Sequence, residues 1–349
     1  MTLPTLAPWT PGVPSATPEV TDMDGVRWRR LGGDELFGFD GMGVWPSNGR
    51  WLGQGGHGIC PSYCIGEDSW LLASPDAISW SILGELPSTP EGLAVSETSM
   101  GFFAYGTLDG YEPGDHPAMF RSSDGANWTS LSDQPAFAPG KCGTDDRETI
   151  GNVYETPSGL VAVGSATWFS PDGETWKCTG QDPLALLTVQ SGYVGQSYRS
   201  ANETLWSSDN GVDWAKLGTV PGDGTIVAVD GGFLEVPYGD ARDATFQQIQ
   251  TSTDGRQWTA AGVPFKPGYV ETITSNGSRA AAVDEDAPAI WLSSPDGSVW
   301  TRYLLPTHAP NGFAGDEVNG VEQLGDTVVV AGSGAGNRSS AVLWIAQIP

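Results

Sequence analysis

One short pattern recurs along this chain and constrains its fold more than any other feature. It takes seven forms: Asp22-Met-Asp24-Gly25-Val-Arg-Trp28, Ser74-Pro-Asp76-Ala77-Ile-Ser-Trp80, Ser122-Ser-Asp124-Gly125-Ala-Asn-Trp128, Ser170-Pro-Asp172-Gly173-Glu-Thr-Trp176, Ser207-Ser-Asp209-Asn-Gly211-Val-Asp-Trp214, Ser252-Thr-Asp254-Gly255-Arg-Gln-Trp258 and Ser294-Pro-Asp296-Gly297-Ser-Val-Trp300. The tryptophans fall 52, 48, 48, 38, 44 and 42 residues apart, the length of one four-stranded propeller blade. The chemistry is that of a hairpin turn. Asp and Ser side chains accept backbone N–H bonds, and Gly takes a positive φ that other residues adopt only at a cost. The seven aspartates are therefore expected to be structural, with each Trp folding back over its turn. Ala77 stands where the other turns have Gly, so that turn must bend differently or carry strain.

Between the turns the text repeats as well. Gly101-Phe-Phe-Ala-Tyr-Gly106, Ser158-Gly-Leu-Val-Ala-Val-Gly164 and Asp326-Thr-Val-Val-Val-Ala-Gly332 each precede a short strand leading into a turn position. Each unit reads as strands a, b and c, the turn, and strand d. Ser340-Ala-Val-Leu-Trp344-Ile matches a strand c with no turn after it, whereas the first turn has no blade before it. The N-terminal segment is therefore expected to supply the outer strand of the last blade and so remove an open edge. The predicted fold is all-β, a seven-bladed propeller of four-stranded blades over 20–349, preceded by a Pro/Thr-rich linker over 1–19. Gly 48, Pro 26 and Trp 15 in 349 residues fit many short strands and tight turns. No apolar stretch is long enough for a membrane span.

Forty-two carboxylates against 16 Lys and Arg leave a formal charge of -26. That field repels phosphate backbones and anionic headgroups, so neither nucleic acid nor membrane insertion is expected. Cys60, Cys64, Cys142 and Cys178 allow three disulfide pairings; the Cys60–Cys64 spacing suits a small loop staple, and the set lacks the paired CxxC spacing typical of zinc. An even cysteine count points to an oxidising compartment: secreted, periplasmic or cell-surface. The Met-Thr-Leu-Pro start has neither a basic nor an apolar region, so no export signal is expected there.

These turns resemble the Asp-box, or BNR, repeats of the sialidase-like propeller superfamily, over roughly residues 20 to 348. The usual family box has one residue between Asp and Gly, which only the Asp209 turn keeps. The resemblance implies the propeller fold and a functional face opposite the boxes. A sialidase would further need an arginine triad, a Tyr–Glu nucleophile pair, an aspartate acid/base and an Arg-Ile-Pro segment. That segment is absent here, while Tyr269 and Glu271 stand two apart and Arg147, Arg199, Arg242 and Arg338 lie near predicted loops.

On the face opposite the boxes the insertions are Gly53 to Ser69, Thr107 to Pro117, Asp133 to Glu148, Tyr238 to Gln248 and Pro306 to Glu317. All three histidines, His57, His116 and His308, fall there. With Asp115, Asp316 or Glu317 nearby they are candidates for acid/base chemistry or a divalent metal, although no HxH or HxxxH spacing supports one. Candidate catalytic residues are thus His57, His116, His308, Asp115, Glu317, Tyr269 and Glu271. Among Trp45, Trp51, Tyr63, Trp70, Tyr111 and Phe313, the tyrosines Tyr63 and Tyr111 are the better ligand candidates, joined by Arg147 and Arg242. The expected function is a secreted, monomeric propeller binding a carbohydrate or protein ligand across blades 7, 1 and 2, with no certain cofactor; the alternative is a glycosidase-like or metal-dependent hydrolase on the same face.

Overall fold

The computed structural model describes residues 18–57, 68–89, 92–108, 116–138, 140–142, 149–179, 186–190, 192–197, 204–221, 224–236, 249–261, 272–284, 288–307, 316–334 and 340–348. Seven antiparallel sheets follow one another around a ring. Their first strands, Gly41–Ser47, Leu93–Thr98, Ile150–Thr156, Leu186–Gln190, Thr225–Val229, Ile273–Ser275 and Glu317–Leu324, are the inner strands a of blades 1 to 7. Six sheets are four-stranded and come from consecutive sequence. The seventh takes strands a, b and c from the C-terminal end and strand d, Val26–Gly32, from the N-terminal end. Arg29 pairs with Ile345 and Gly32 with Val342. The ring is closed as the sequence predicts.

Two details at this closure differ from expectation. The sheet has a fifth strand, Glu19–Met23, paired only with Val26–Gly32. The connecting Asp24 and Gly25 have φ of 51° and 81°, the two positive values a two-residue I′ hairpin needs. The first repeat therefore differs from the others. Asp24 sits in the left-handed region itself, and the chain returns directly as a strand.

The remaining turns share one hydrogen-bond scheme. In the turn of blade 2, Ser122 Oγ donates to Asp124 Oδ1 at 2.9 Å and accepts from the Gly125 amide at 2.9 Å; Asp124 Oδ1 then accepts from the amides of Ala126 and Asn127, both at 2.9 Å. Asp172 and Asp254 repeat it. Asp296 keeps the Ser294 and Ser298 bonds. In blade 4 the role belongs to Asn210, not Asp209: Ser208 donates to Asn210 Oδ1, which accepts from the amides of Val212 and Asp213. The expectation for Asp209 is thus corrected. Once the frame shifts by one residue, the apparent extra residue before Gly211 disappears. Ala77 keeps the local geometry at φ 61°, close to the 70–78° of Gly125, Gly173, Gly211, Gly255 and Gly297. It therefore carries the left-handed conformation with a Cβ in place. Trp80 does fold back, its Nε1 donating to Ala77 O at 2.8 Å.

The tryptophans explain why the repeat is needed. Trp80 packs in the apolar cluster between blades 7 and 1, Trp128 between 1 and 2, and Trp176 between 2 and 3. Trp214, Trp258 and Trp300 fill the next three interfaces, and Trp28 fills the one between blades 6 and 7. Each interface thus receives one repeat tryptophan from the later blade, worth about 3–5 kcal/mol against truncation to Ala where it is buried. Polar links add register. Arg50 pairs with Glu97 and Arg121 with Glu174 across neighbouring blades. Thr272 and Thr274 donate to the Asn319 and Val321 carbonyls at 3.2 and 2.8 Å. A disulfide joins Cys142, in the crossing from blade 2 to blade 3, to Cys178 in the outer strand of blade 3.

Candidate functional site

Antiparallel order puts the a–b turns and the Ser-x-Asp turns on one face of the ring. The starts of strands a and the ends of strands b lie on the other. A cavity of about 620 Å³ opens among those starts and ends. Blade 1 contributes Asp40 through Trp45 and Gln54; blade 2 Gly92 to Ala94 and Tyr105 to Thr107; blade 3 Thr149 to Gly151; blade 6 Thr272; blade 7 Asn319 to Glu322 and Ala331 to Ser333. This is the mouth of the central channel, on the face the sequence nominates.

Part of the wall is glycine that the fold does not demand. A Cβ built on Gly43 or Gly320 meets no atom within 4 Å, and one on Gly151 meets only Val163 O at 3.7 Å. None of the three has a positive φ. Their effect is to keep the channel wide and its backbone bare. Register shifts in the inner strands at Gly151 and Asn319 fall on the same wall; such bulges redirect side chains and free backbone groups.

The polar groups are few and distinct. Tyr105 donates to Asn152 Oδ1 and shares a hydrogen bond with Ser96 Oγ, both at 2.9 Å. Burial pushes its phenol up, so it stays neutral. Asp40 and His57 stand at the lip, Oδ2 to Nδ1 3.8 Å, with the imidazole tilted against Phe39 at 5.7 Å between ring centroids. Glu322, in the inner strand of blade 7, is the second carboxylate of the lining. Burial alone raises its pKa to about 8, because the ionised form loses hydration and gains no partner among the described residues. Among the described residues the lining holds no Lys, Arg or His.

The sequence candidates divide as follows. His57 ends strand b of blade 1, opposite Asp68, so strand continues to residue 57 and the insertion expected from Gly53 begins later. His116 precedes strand Pro117–Ser122 and its carbonyl accepts from Leu108 N at 3.2 Å. Glu317 is exposed at the start of Glu317–Leu324. Asp316 is buried and committed to Arg30 at 3.1 Å, which locks strand d of the last blade to its inner strand. Trp45 lines the cavity, Trp51 is core, and Trp70 packs against the blade 1 cluster. His308, Asp115, Tyr269, Glu271, Tyr63, Tyr111, Phe313, Arg147, Arg199, Arg242 and Arg338 lie outside the described residues, as do Cys60 and Cys64. Among the described residues no three His, Cys, Asp or Glu side chains are placed to hold a metal ion. Sequence reading overlooked Glu322, Asp40, Gln54 and Asn319. The available signal was a carboxylate within an inner strand, Val-Asn-Gly-Val-Glu322, at a position where the other blades carry the uncharged Trp45, Ser96, Tyr154, Thr188, Val227 and Ile273.

No known family profile matches the chain, and no curated protein matches it. Solved structures do. A catalytically inactive virginiamycin B lyase from Staphylococcus aureus, with quinupristin, has a TM-score of 0.57 at 10% identity, covering 91% of this chain and 99% of that one. YCF48 bound to D1 peptide has a TM-score of 0.56 at 12% identity, covering 95% and 97%. The chain shares with them the seven-bladed propeller fold.

Proposed function

We propose that this protein is an extracytoplasmic ligand-binding propeller of the Asp-box kind, which takes part of a carbohydrate or protein ligand into the channel mouth opposite its repeat turns. The observation that carries this reading is the glycine-walled cavity of about 620 Å³, a size ordinary for ligand sites. The open positions at Gly43 and Gly320 support it, because the backbone conformation there would accept a side chain. A propeller of the same fold bound to a peptide gives the reading a precedent. The Cys142–Cys178 disulfide supports an oxidising location. Among the described residues no helix is long and apolar enough to cross a membrane.

The test is a glycan and peptide array probed with the wild type and with Gly320→Trp, which fills the channel. Ligands retained by the wild type and lost by at least tenfold in the variant support the reading; equal binding by both contradicts it. A second reading, glycosidase-like hydrolysis, draws on two carboxyls sharing one lining, Asp40 and Glu322, with Glu322 holding a proton near neutral pH as a general acid must. Cleavage of an array ligand by the wild type, lost in Glu322→Gln with binding kept, would favour it.

A further inference from the structure

Glu322 is unusual among the 42 acids of this chain. Most surface carboxylates gain nothing from position, whereas this one is held on the wall of the channel and makes no hydrogen bond or ion pair among the described residues. A half-buried carboxylate on a channel wall loses hydration, and no described group of blade 7 compensates it with a hydrogen bond or ion pair. Gln at this position would keep the strand and remove the penalty. Apart from Asp40, the described residues that share the lining with it are neutral or apolar, Asn319, Thr272 and Gln54 among them. The other carboxylate, Asp40, stands at the lip facing His57. A ligand's positive charge would thus meet an acidic protein outside, then a lip acid, then a single unpaired acid within.

We propose that the Glu322 carboxylate, on the wall of the channel mouth, is the anchor for a nitrogen cation of the ligand, an ammonium or guanidinium group. This rests on the channel-mouth reading and names its ligand class. A bare divalent metal fits less well, since Ca²⁺ takes six to eight oxygens and Mg²⁺ a near-octahedral set, and no acidic or histidine cluster is present among the described residues. A nitrogen cation needs one carboxylate, to which its N–H groups donate charge-assisted hydrogen bonds. Binding ionises Glu322, so it releases a proton wherever the free carboxyl is protonated. Affinity then rises with pH up to about 8 and levels off.

Nitrogen cations come from two sources, a polypeptide side chain or a free amine, and the probes separate them. The wild-type chain is titrated calorimetrically with N-acetyl-lysine amide, N-acetyl-arginine amide, cadaverine and the uncharged N-acetyl-norleucine amide. Glu322→Gln, Gly320→Trp and the exposed-acid control Asp133→Asn follow. The expected result is saturable binding of at least one cation, weakened tenfold or more by Glu322→Gln, unchanged by Asp133→Asn and abolished by Gly320→Trp. The pH dependence between 6 and 8 disappears in Glu322→Gln. Stronger binding of the amino-acid amides assigns the cation to a polypeptide; stronger binding of cadaverine assigns it to a free amine. Equal affinity for the norleucine probe, or equal affinity of Glu322→Gln, overturns the cation proposal and leaves the channel standing. Binding that survives Gly320→Trp overturns the channel itself.

Discussion

At the scale of single residues, the turns and the channel use carboxylates in opposite ways. Asp172 is held down to about 2, first by the Thr175 amide and then by that of Glu174. Such a group stabilises the fold above its unfolded pKa, and the contribution is lost as pH falls through the folded value. Asn210 shows, however, that the work lies in an acceptor oxygen rather than in the charge. Asp172→Asn should therefore cost well under half of what Asp172→Ala costs, the latter being about 1–2 kcal/mol as for a lost helix cap; urea unfolding at pH 7 measures both. Glu322 runs the other way. Its folded pKa is raised to about 8, so the native state holds a proton that the unfolded chain releases above about pH 4.5. Stability falls as pH rises across that window and is flat beyond it. Glu322→Gln should match the wild type near pH 4 and exceed it by about 1–3 kcal/mol at pH 9, allowing for solvent screening in the channel. Melting curves across pH check this, and a constant offset would sink the assignment.

Strands, turns and blades were largely legible in the sequence because each repeat writes the same local chemistry: a hydroxyl, an acceptor two residues on, a left-handed position, a tryptophan. Frame was the weak point. Ser207-Ser208 and Asp209-Asn210 offer two registers, and only the bonds at Ser208 and Asn210 decide between them. Asp24-Gly25-Val-Arg-Trp28 copies the spelling, yet its flanking strands pair directly as a hairpin. The channel was less legible. Its polar residues come from the first two strands of blades 1, 2 and 7 and the segments entering blades 1, 3 and 6, brought together only by closure of the ring, and part of its width comes from glycines, which a sequence reader assigns to turns. The significance of the loop histidines depends on neighbours apart in sequence, as Asp40 and His57 show.

At the scale of the molecule, closure by the N-terminal strand makes the ring cooperative. Strand Glu19–Met23 pairs only at the outer edge, whereas Val26–Gly32 buries Trp28 and Leu31 at 0% and 2% exposure and holds Asp316 through Arg30. A chain lacking residues 1–23 should melt within about 3 °C of the full chain. One lacking residues 1–32 should melt about 10 °C lower or fail to fold, since two large core side chains cost about 3–5 kcal/mol each. The closed ring also gives the molecule two unlike faces, one built of repeat turns and the other opening on the channel. The most direct test of that asymmetry is a crystallographic fragment screen of the full chain. Binding in the channel mouth is predicted, with fragments contacting Trp45, Asn319 and Glu322 and cationic ones enriched. Fragments found only on the turn face or between blades, with the channel mouth empty across the whole library, would contradict it.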